Sequence, residues 1–283
     1  MNVLDAAVSR LERWPLLDKV GDPLRKATQV AVKPRMVRNL LSGIPTGHPL
    51  HAVITDIPIG AWTMASLLDL IGGESTEQAA DVLIGAGLVA AVPTAASGLN
   101  DWSDTFGETS RIGVAHAALN VTALGFYATS LVARKAGRRG AGCTLALAGL
   151  GVLLASGYLG GHLAYTKGVK VNHTAWHEAP TDWQDALAES DLEDGKPKLA
   201  SLGDVQVMVV RDGRIIRALD NICTHEGGPL NEGTIENGCV TCPWHGSQFR
   251  LSDGAAVHGP AAAPEPSYEA RVQDGRVQLR ARA

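Results

Sequence analysis

Four apolar segments, residues 53–71, 82–99, 112–133 and 143–164, limit what this chain can fold into. As a helix, each is about long enough to cross a hydrocarbon core of ~30 Å. The second and third carry no charged residue. Gly85, Gly87, Gly149, Gly151, Gly157, Gly160 and Gly161 supply the small side chains that let helices approach closely in lipid. The expectation is an all-α four-helix transmembrane bundle over 48–165. Asp56, Pro58 and Asp69 in the first segment are costly in lipid, so they should face the bundle interior or lie near its ends. The tetrapeptides 96–99 (Ala-Ser-Gly-Leu) and 155–158 (Ala-Ser-Gly-Tyr) hint at a duplicated helix pair.

Residues 1–47 form an amphipathic helical segment. Leu4, Val8, Leu11 and Trp14 recur at near-helical spacing, and prolines at 15, 23, 34 and 45 punctuate the run. A short helix followed by a second over 23–41 is expected. With eight basic residues, the segment suits either a membrane interface or a cap folded on its own chain. No cleavable signal peptide is expected, because no basic region leads into an apolar run at the start.

The last third reads differently. After a polar linker at 166–176, residues 177–283 carry 17 acidic and 10 basic side chains, the composition of a soluble domain. That acidity argues against nucleic acid, which would need a basic stripe, and suits a basic protein partner. Runs at 205–210 and 215–219 flank an Asp-Gly turn, a strand hairpin.

Within this part lie two short boxes. Cys223 and His225 are one residue apart, Cys242 and His245 two apart, and sixteen residues separate the pairs. A zinc finger usually draws its cysteines from one element and its histidines from another. Here each loop offers one thiolate and one imidazole, which suits two irons bridged by sulfide, both Cys on one and both His on the other. Structural zinc is the competing reading. Gly227, Gly228 and Gly246 allow turns that aim amide N–H groups at sulfur, and Pro229 and Pro243 stiffen the loops. Cys239 is a spectator thiol, since the set of four is complete without it.

From about residue 176 onward the chain resembles the Rieske iron-sulfur family. The resemblance implies an all-β domain of stacked antiparallel sheets over 177–283 and a 2Fe-2S cluster on Cys223, His225, Cys242 and His245. High-potential relatives carry an extra Cys in each box; Gly228 and Trp244 stand there, so the likeness is to the disulfide-free, ferredoxin-like branch. Those relatives also use a Ser and a Tyr hydroxyl as donors to the cluster. Ser247 keeps the first and Phe249 replaces the second. The stretch from His48 through residue 60 resembles an uncharacterised family of bacterial four-helix membrane proteins.

Alternating helices would gather His48, His51, His116 and His162 at one membrane face, where the C-terminal domain also emerges. Histidines on facing helices can ligate haem b, face a quinone or move protons, or simply bridge helices. The basic loop Arg134, Lys135, Arg138 and Arg139 competes with six basic residues on the other face in setting orientation. A multi-pass bacterial cell-membrane protein with its cluster in the cytoplasm is the favoured topology.

The functional expectation is a membrane-tethered carrier of single electrons between a redox protein or quinone and a downstream acceptor, rather than an enzyme. The alternatives are a quinol-oxidising subunit with haem in the bundle and a membrane protein with a redox-sensing cluster. Only 38 residues follow His245, too few for an oxygenase's mononuclear-iron domain.

Overall fold

The computed structural model describes residues 3–282. Its contacts divide the chain into two compact units, Met1–Lys33 with Leu50–Val169 and Pro34–Pro49 with Lys170–Ala283. Residues 34–49, read above as part of one N-terminal segment, thus fold with the C-terminal unit.

The helices in chain order are α1 (Val3–Glu12), α2 (Asp18–Ala31), α3 (Arg35–Ser42), α4 (Leu50–Ile54), α5 (Asp56–Ile71), α6 (Glu77–Trp102), α7 (Gly107–Lys135) and α8 (Arg139–Tyr165). The expected helix over 23–41 is in fact two. Pro23 sits inside α2, and the break falls at Pro34, whose extended backbone (ψ 127°) precedes α3. A proline lacks the amide needed to continue a helix and disfavours helical geometry in the residue before it.

Among the described residues four spans are long and apolar enough to cross a membrane: Leu50–Ile71, Glu74–Trp102, Gly107–Lys135 and Arg139–Tyr165. Their bundle is inside out by the standard of a water-soluble fold. Val89, Val121 and Leu154 are 75%, 68% and 66% exposed, while Ser66, Ser97, Asn100, Ser130 and Ser156 are buried. Apolar surface of that extent is stable against lipid and costly against water. The interior serines bond back onto helix carbonyls, as Ser66 does to Trp62 and Ser97 to Pro93.

The bundle is a duplicated helical hairpin, α5–α6 repeated as α7–α8. His51, Trp62 and Asp69 correspond to His116, Tyr127 and Arg134, 65 positions on in each case. Two of these pairs meet each other, as equivalent residues near a pseudo-two-fold axis would. Trp62 and Tyr127 stack with centroids 4.4 Å apart, and Asp69 pairs with Arg134. On the second helices the offset is 62. A Cβ on Gly87 would collide with the Trp62 indole, and one on Gly149 would stand 3.1 Å from the Tyr127 ring. The sequence echo between 96–99 and 155–158 is therefore one turn out of register with the true repeat.

Of the costly residues in the first span, Asp69 and Pro58 are buried and Asp56 is exposed. Arg139 joins the Asp69–Arg134 pair and also reaches Asp81 and Glu77. In this unit α1 packs on the bundle, with Val8 buried against Ile112 and Leu159. Arg111 bridges to Asp18 at 2.8 Å and Lys167 to Glu12 at 2.6 Å, while Trp14, Leu16 and Val20 stay exposed.

The other unit is all-β apart from α3 and short turns. Its strands are β1 (Gln184–Ala188), β2 (Lys198–Leu202), β3 (Val205–Asp212), β4 (Ile215–Asp220), β5 (Thr234–Glu236), β6 (Cys239–Thr241), β7 (Gln248–Arg250), β8 (Ala256–His258), β9 (Ser267–Gln273) and β10 (Arg276–Ala281). They form a six-stranded antiparallel sheet ordered β1-β10-β9-β4-β3-β2 and a four-stranded one ordered β5-β6-β7-β8. Alternation along β3 sends Val207 and Val209 into one core with Leu202 and Leu279. Met208 and Val210 point into the other, with Leu219, Val240 and Phe249. The second core also contains Cys223 and Cys242, so the smaller sheet and its loops are built around the two thiols.

Candidate metal centre

Two loops carry the four expected ligands, one after β4 and one between β6 and β7. Each closes by the same device. The Cys223 amide donates to the Gly228 carbonyl at 2.9 Å and its carbonyl accepts from Gly227; the Cys242 amide donates to Ser247 at 2.8 Å and its carbonyl accepts from Gly246. Gly227 and Gly246 have φ of 77° and 76°, a left-handed geometry open to glycine at little cost.

The base of the first loop is fixed by buried Asp220. Its Oδ1 accepts from the Ile222 amide at 2.9 Å, while Oδ2 accepts from the Tyr268 hydroxyl at 3.1 Å and lies 2.7 Å from His177 Nδ1. Glu265 accepts from the Thr224 amide at 2.6 Å. Burial pushes the Glu265 carboxyl well above the usual carboxylate range, with nearby Asp220 adding to the shift. Burial and the charge of Asp220 likewise raise the Tyr268 hydroxyl.

The thiols of Cys223 and Cys242 are buried close together and interact, so the pair gives up a first proton more readily than a second. Amide N–H groups of Trp244 and His245 also favour a Cys242 thiolate, and that of His225 favours a Cys223 thiolate. The imidazoles of His225 and His245 lie edge to face, centroids 5.1 Å apart. Burial holds His225 far below the usual histidine range, so the ring is neutral, the form that ligates metal. Among the described residues no three His, Cys, Asp or Glu converge as a single-ion site. The four side chains instead sort into a sulfur pair and an imidazole pair. That donor set, with amides aimed at sulfur, fits a two-iron cluster better than one zinc ion.

A Cβ on Gly228 would stand 2.9 Å from Cys242 Sγ and 3.0 Å from the Trp244 indole, so that position needs glycine. Trp244 is exposed at the loop tip. Ser247 is buried, and its Oγ accepts from the Ala261 amide at 3.0 Å, leaving its O–H to donate elsewhere. Phe249 is fully buried in the thiol-containing core. Cys239 lies at the start of β6, paired with Arg250. Asp220, His177 and Glu265 carry no local sequence signal, because isolated polar residues in apolar or proline-rich surroundings look like ordinary turn positions.

In the bundle, His51 and His116 occupy equivalent sites. His51 Nδ1 is 2.9 Å from the Thr94 carbonyl and His116 Nδ1 2.8 Å from that of Ser156. Each ring nests on a glycine of the facing helix, Gly98 or Gly160. His116 Nε2 is also engaged, 3.0 Å from Asn120 Nδ2, which occupies the lone pair an iron would need. His162 stands apart from this pattern, its Nε2 3.9 Å from Glu12. Bridging between helices accounts for the His116 contacts, and nothing here supports haem.

The chain matches the Rieske [2Fe-2S] domain family over residues 182–269 and a predicted membrane protein family (DUF2231) over 47–173. The anthranilate 1,2-dioxygenase ferredoxin subunit of Burkholderia cepacia is 30% identical over 98 residues, 35% of this chain and 91% of the relative. The cytochrome b6-f complex iron-sulfur subunit of Chlorobaculum tepidum is 31% identical, over 31% of this chain and 48% of the relative. Apoptosis-inducing factor 3 of Mus musculus is 34% identical over 91 residues, but the chain spans only 15% of its length. Among solved structures, the ferredoxin of carbazole 1,9a-dioxygenase from Nocardioides aromaticivorans is 25% identical at a TM-score of 0.34, covering 35% of this chain and 98% of that one.

Proposed function

The chain belongs to the Rieske [2Fe-2S] family, joined to a DUF2231 membrane domain, and from that premise we propose that it is a membrane-tethered carrier of single electrons. Cys223 and Cys242 would hold one iron, and His225 and His245 the other. The group, when bound, supplies a one-electron couple. The pairing of two adjacent thiols with two facing imidazoles carries this assignment. Gly228 leaves room for Cys242, Ser247 offers a hydroxyl, and the loop amides offer N–H groups to the sulfur that gains charge on reduction.

Partners follow from charge and exposure. The acidic domain suits a basic redox protein, and exposed Trp244 beside His245 gives such a partner an apolar contact next to the imidazole pair. A membrane quinone is the other candidate, since the bundle places the chain in lipid. Six basic residues on the face where the C-terminal domain follows the last span, against four around the turn between the third and fourth helices, support a cytoplasmic cluster. His51 and His116 bridge helices in this reading.

Coulometric titration of the detergent-purified chain tests it. One electron per chain is expected, with no Soret absorbance. Two or more electrons with a Soret band would favour the quinol-oxidising alternative, and zero would remove the carrier role.

A further inference from the structure

Helix α2 rests on one end of the spans. Asp18 accepts from Arg111 at 2.9 and 2.8 Å, and a Cβ on Gly21 would stand 3.0 Å from Val114. Further along, the Arg25 guanidinium lies 4.5 Å over the Phe106 ring, and Gln29 Nε2 donates to the Ser103 carbonyl at 2.9 Å. Residues 103–114 are the turn between α6 and α7 and the first turns of α7. Helix α2 therefore runs along the place where the second span ends and the third begins. Exposed Trp14, just before α2, and exposed Tyr165, at the end of α8, belong to the same end of the bundle. Trp and Tyr concentrate at membrane–water boundaries, because each joins an apolar ring to a polar tip.

Around its axis α2 has three faces. Gly21 and Thr28, seven positions apart, form the buried one. Val20, Leu24, Ala27 and Ala31 recur at helical spacing beside it, and all four are exposed. Lys19 and Lys26 are exposed on the side turned away from both. A helix sealed onto its own protein would bury its apolar stripe, and one facing water would make that stripe polar. We propose that α2 is an interfacial helix whose stripe of Val20, Leu24, Ala27 and Ala31 enters phospholipid at the boundary of headgroups and acyl chains, with Lys19 and Lys26 at the phosphates. The stripe continues the lipid-facing surface of the spans, and the lysines complement the phosphate charge. The acids of this helix do not oppose that placement, since Asp18 is paired with Arg111 at 2.8 Å and Asp22 with Arg25 at 2.6 Å. The N-terminal segment thereby serves both roles open to it, α1 packing on the bundle and α2 meeting lipid.

Spin labels on the full chain, reconstituted in vesicles of mixed zwitterionic and anionic phospholipid, test this. Val20→Cys, Leu24→Cys, Lys26→Cys and a reference Val89→Cys are each made together with Cys143→Ser and Cys239→Ser and labelled in the oxidised state. Collision of the label with oxygen, which concentrates in lipid, is compared with collision with a water-soluble nickel chelate. Labels at positions 20 and 24 should lie about 5–10 Å into the boundary, the depth of an interfacial helix. The label at 26 should lie at or above the phosphates, and that at 89, midway along α6, deepest of all. The proposal is rejected if the label at 20 or 24 lies on the water side, or if Lys26→Cys places its label as deep as theirs. It is equally rejected if both reagents are excluded from 20 and 24, as a second copy or another protein surface over the stripe would cause. Should one of Val20→Cys and Leu24→Cys fail to reconstitute, the other decides alone. A label at 89 on the water side would overturn the spans themselves, and the interface with them.

Discussion

Asp69 and Arg134 are equivalent residues of a duplicated hairpin that have become opposite charges, and they meet with side chains 1% and 0% exposed. Trp62 and Tyr127 stack at 4.4 Å as another equivalent pair. Each half of the bundle is thus complementary to the other through residues at the same repeat position.

Removing one partner should be far worse than the pair is good. Asp69→Asn leaves Arg134 buried with Asp81 as its remaining acid partner, and since a wholly uncompensated buried charge costs roughly 3 kcal/mol, a loss of up to about that size is expected. Thermal unfolding in detergent, followed by tryptophan fluorescence, should show a clear loss of stability. Asp22→Asn, at the exposed Asp22–Arg25 pair, should shift it by less than about 1 kcal/mol.

Cys242→Ser should abolish bound iron and sulfide, because each iron needs both of its protein ligands. Cys239→Ser should leave both near wild-type levels. Iron and acid-labile sulfide assays on the two purified variants check this, and retention of full iron in Cys242→Ser would remove that ligand from the set.

Phe249→Tyr should raise the midpoint potential. Phe249 is buried in the core that contains both thiols, and the expectation is that an added hydroxyl donates to sulfur. A hydrogen bond to a charged group contributes roughly 1.5 kcal/mol, about 60 mV for a one-electron couple. The added oxygen should also cost about 1 kcal/mol of stability through overpacking. Film voltammetry giving an unchanged or lower potential would contradict the donor argument.

Glu265 sets a pH dependence. Its carboxyl is raised in the folded chain, so between about pH 4.5 and that raised value the folded state binds more protons than the unfolded one. Stability from this group is present below the unfolded value and is lost as pH rises through the folded one. Glu265→Gln keeps an acceptor for the Thr224 amide and removes the titration. Its melting temperature should therefore fall less between pH 5 and pH 8 than that of the wild type.

The spans were legible because lipid requires uninterrupted apolar length, and the Cys and His boxes because short loops must bring donors together locally. The repeat register was hidden. Its equivalences fall on unlike residues, Trp62 with Tyr127 and Asp69 with Arg134, which no likeness of letters reveals, while a chance Ala-Ser-Gly echo pointed one turn away. Pro23 suggested a helix start, yet α2 contains it. The union of Arg35 and Asn39 with residues 248–259 had no local signal either, since more than 200 positions separate the partners. The histidines were expected to gather, and His51 and His116 do occupy equivalent places. The glycines and carbonyls they bond to, however, are visible only in three dimensions.

The measurement that bears most directly on the central claim is the paramagnetic resonance spectrum of the dithionite-reduced, detergent-purified full chain, taken with its metal content. A Rieske-type signal integrating to about one spin per chain, with two irons and no haem signal, is the predicted result. Stoichiometric zinc, or iron without that signal, would contradict the account.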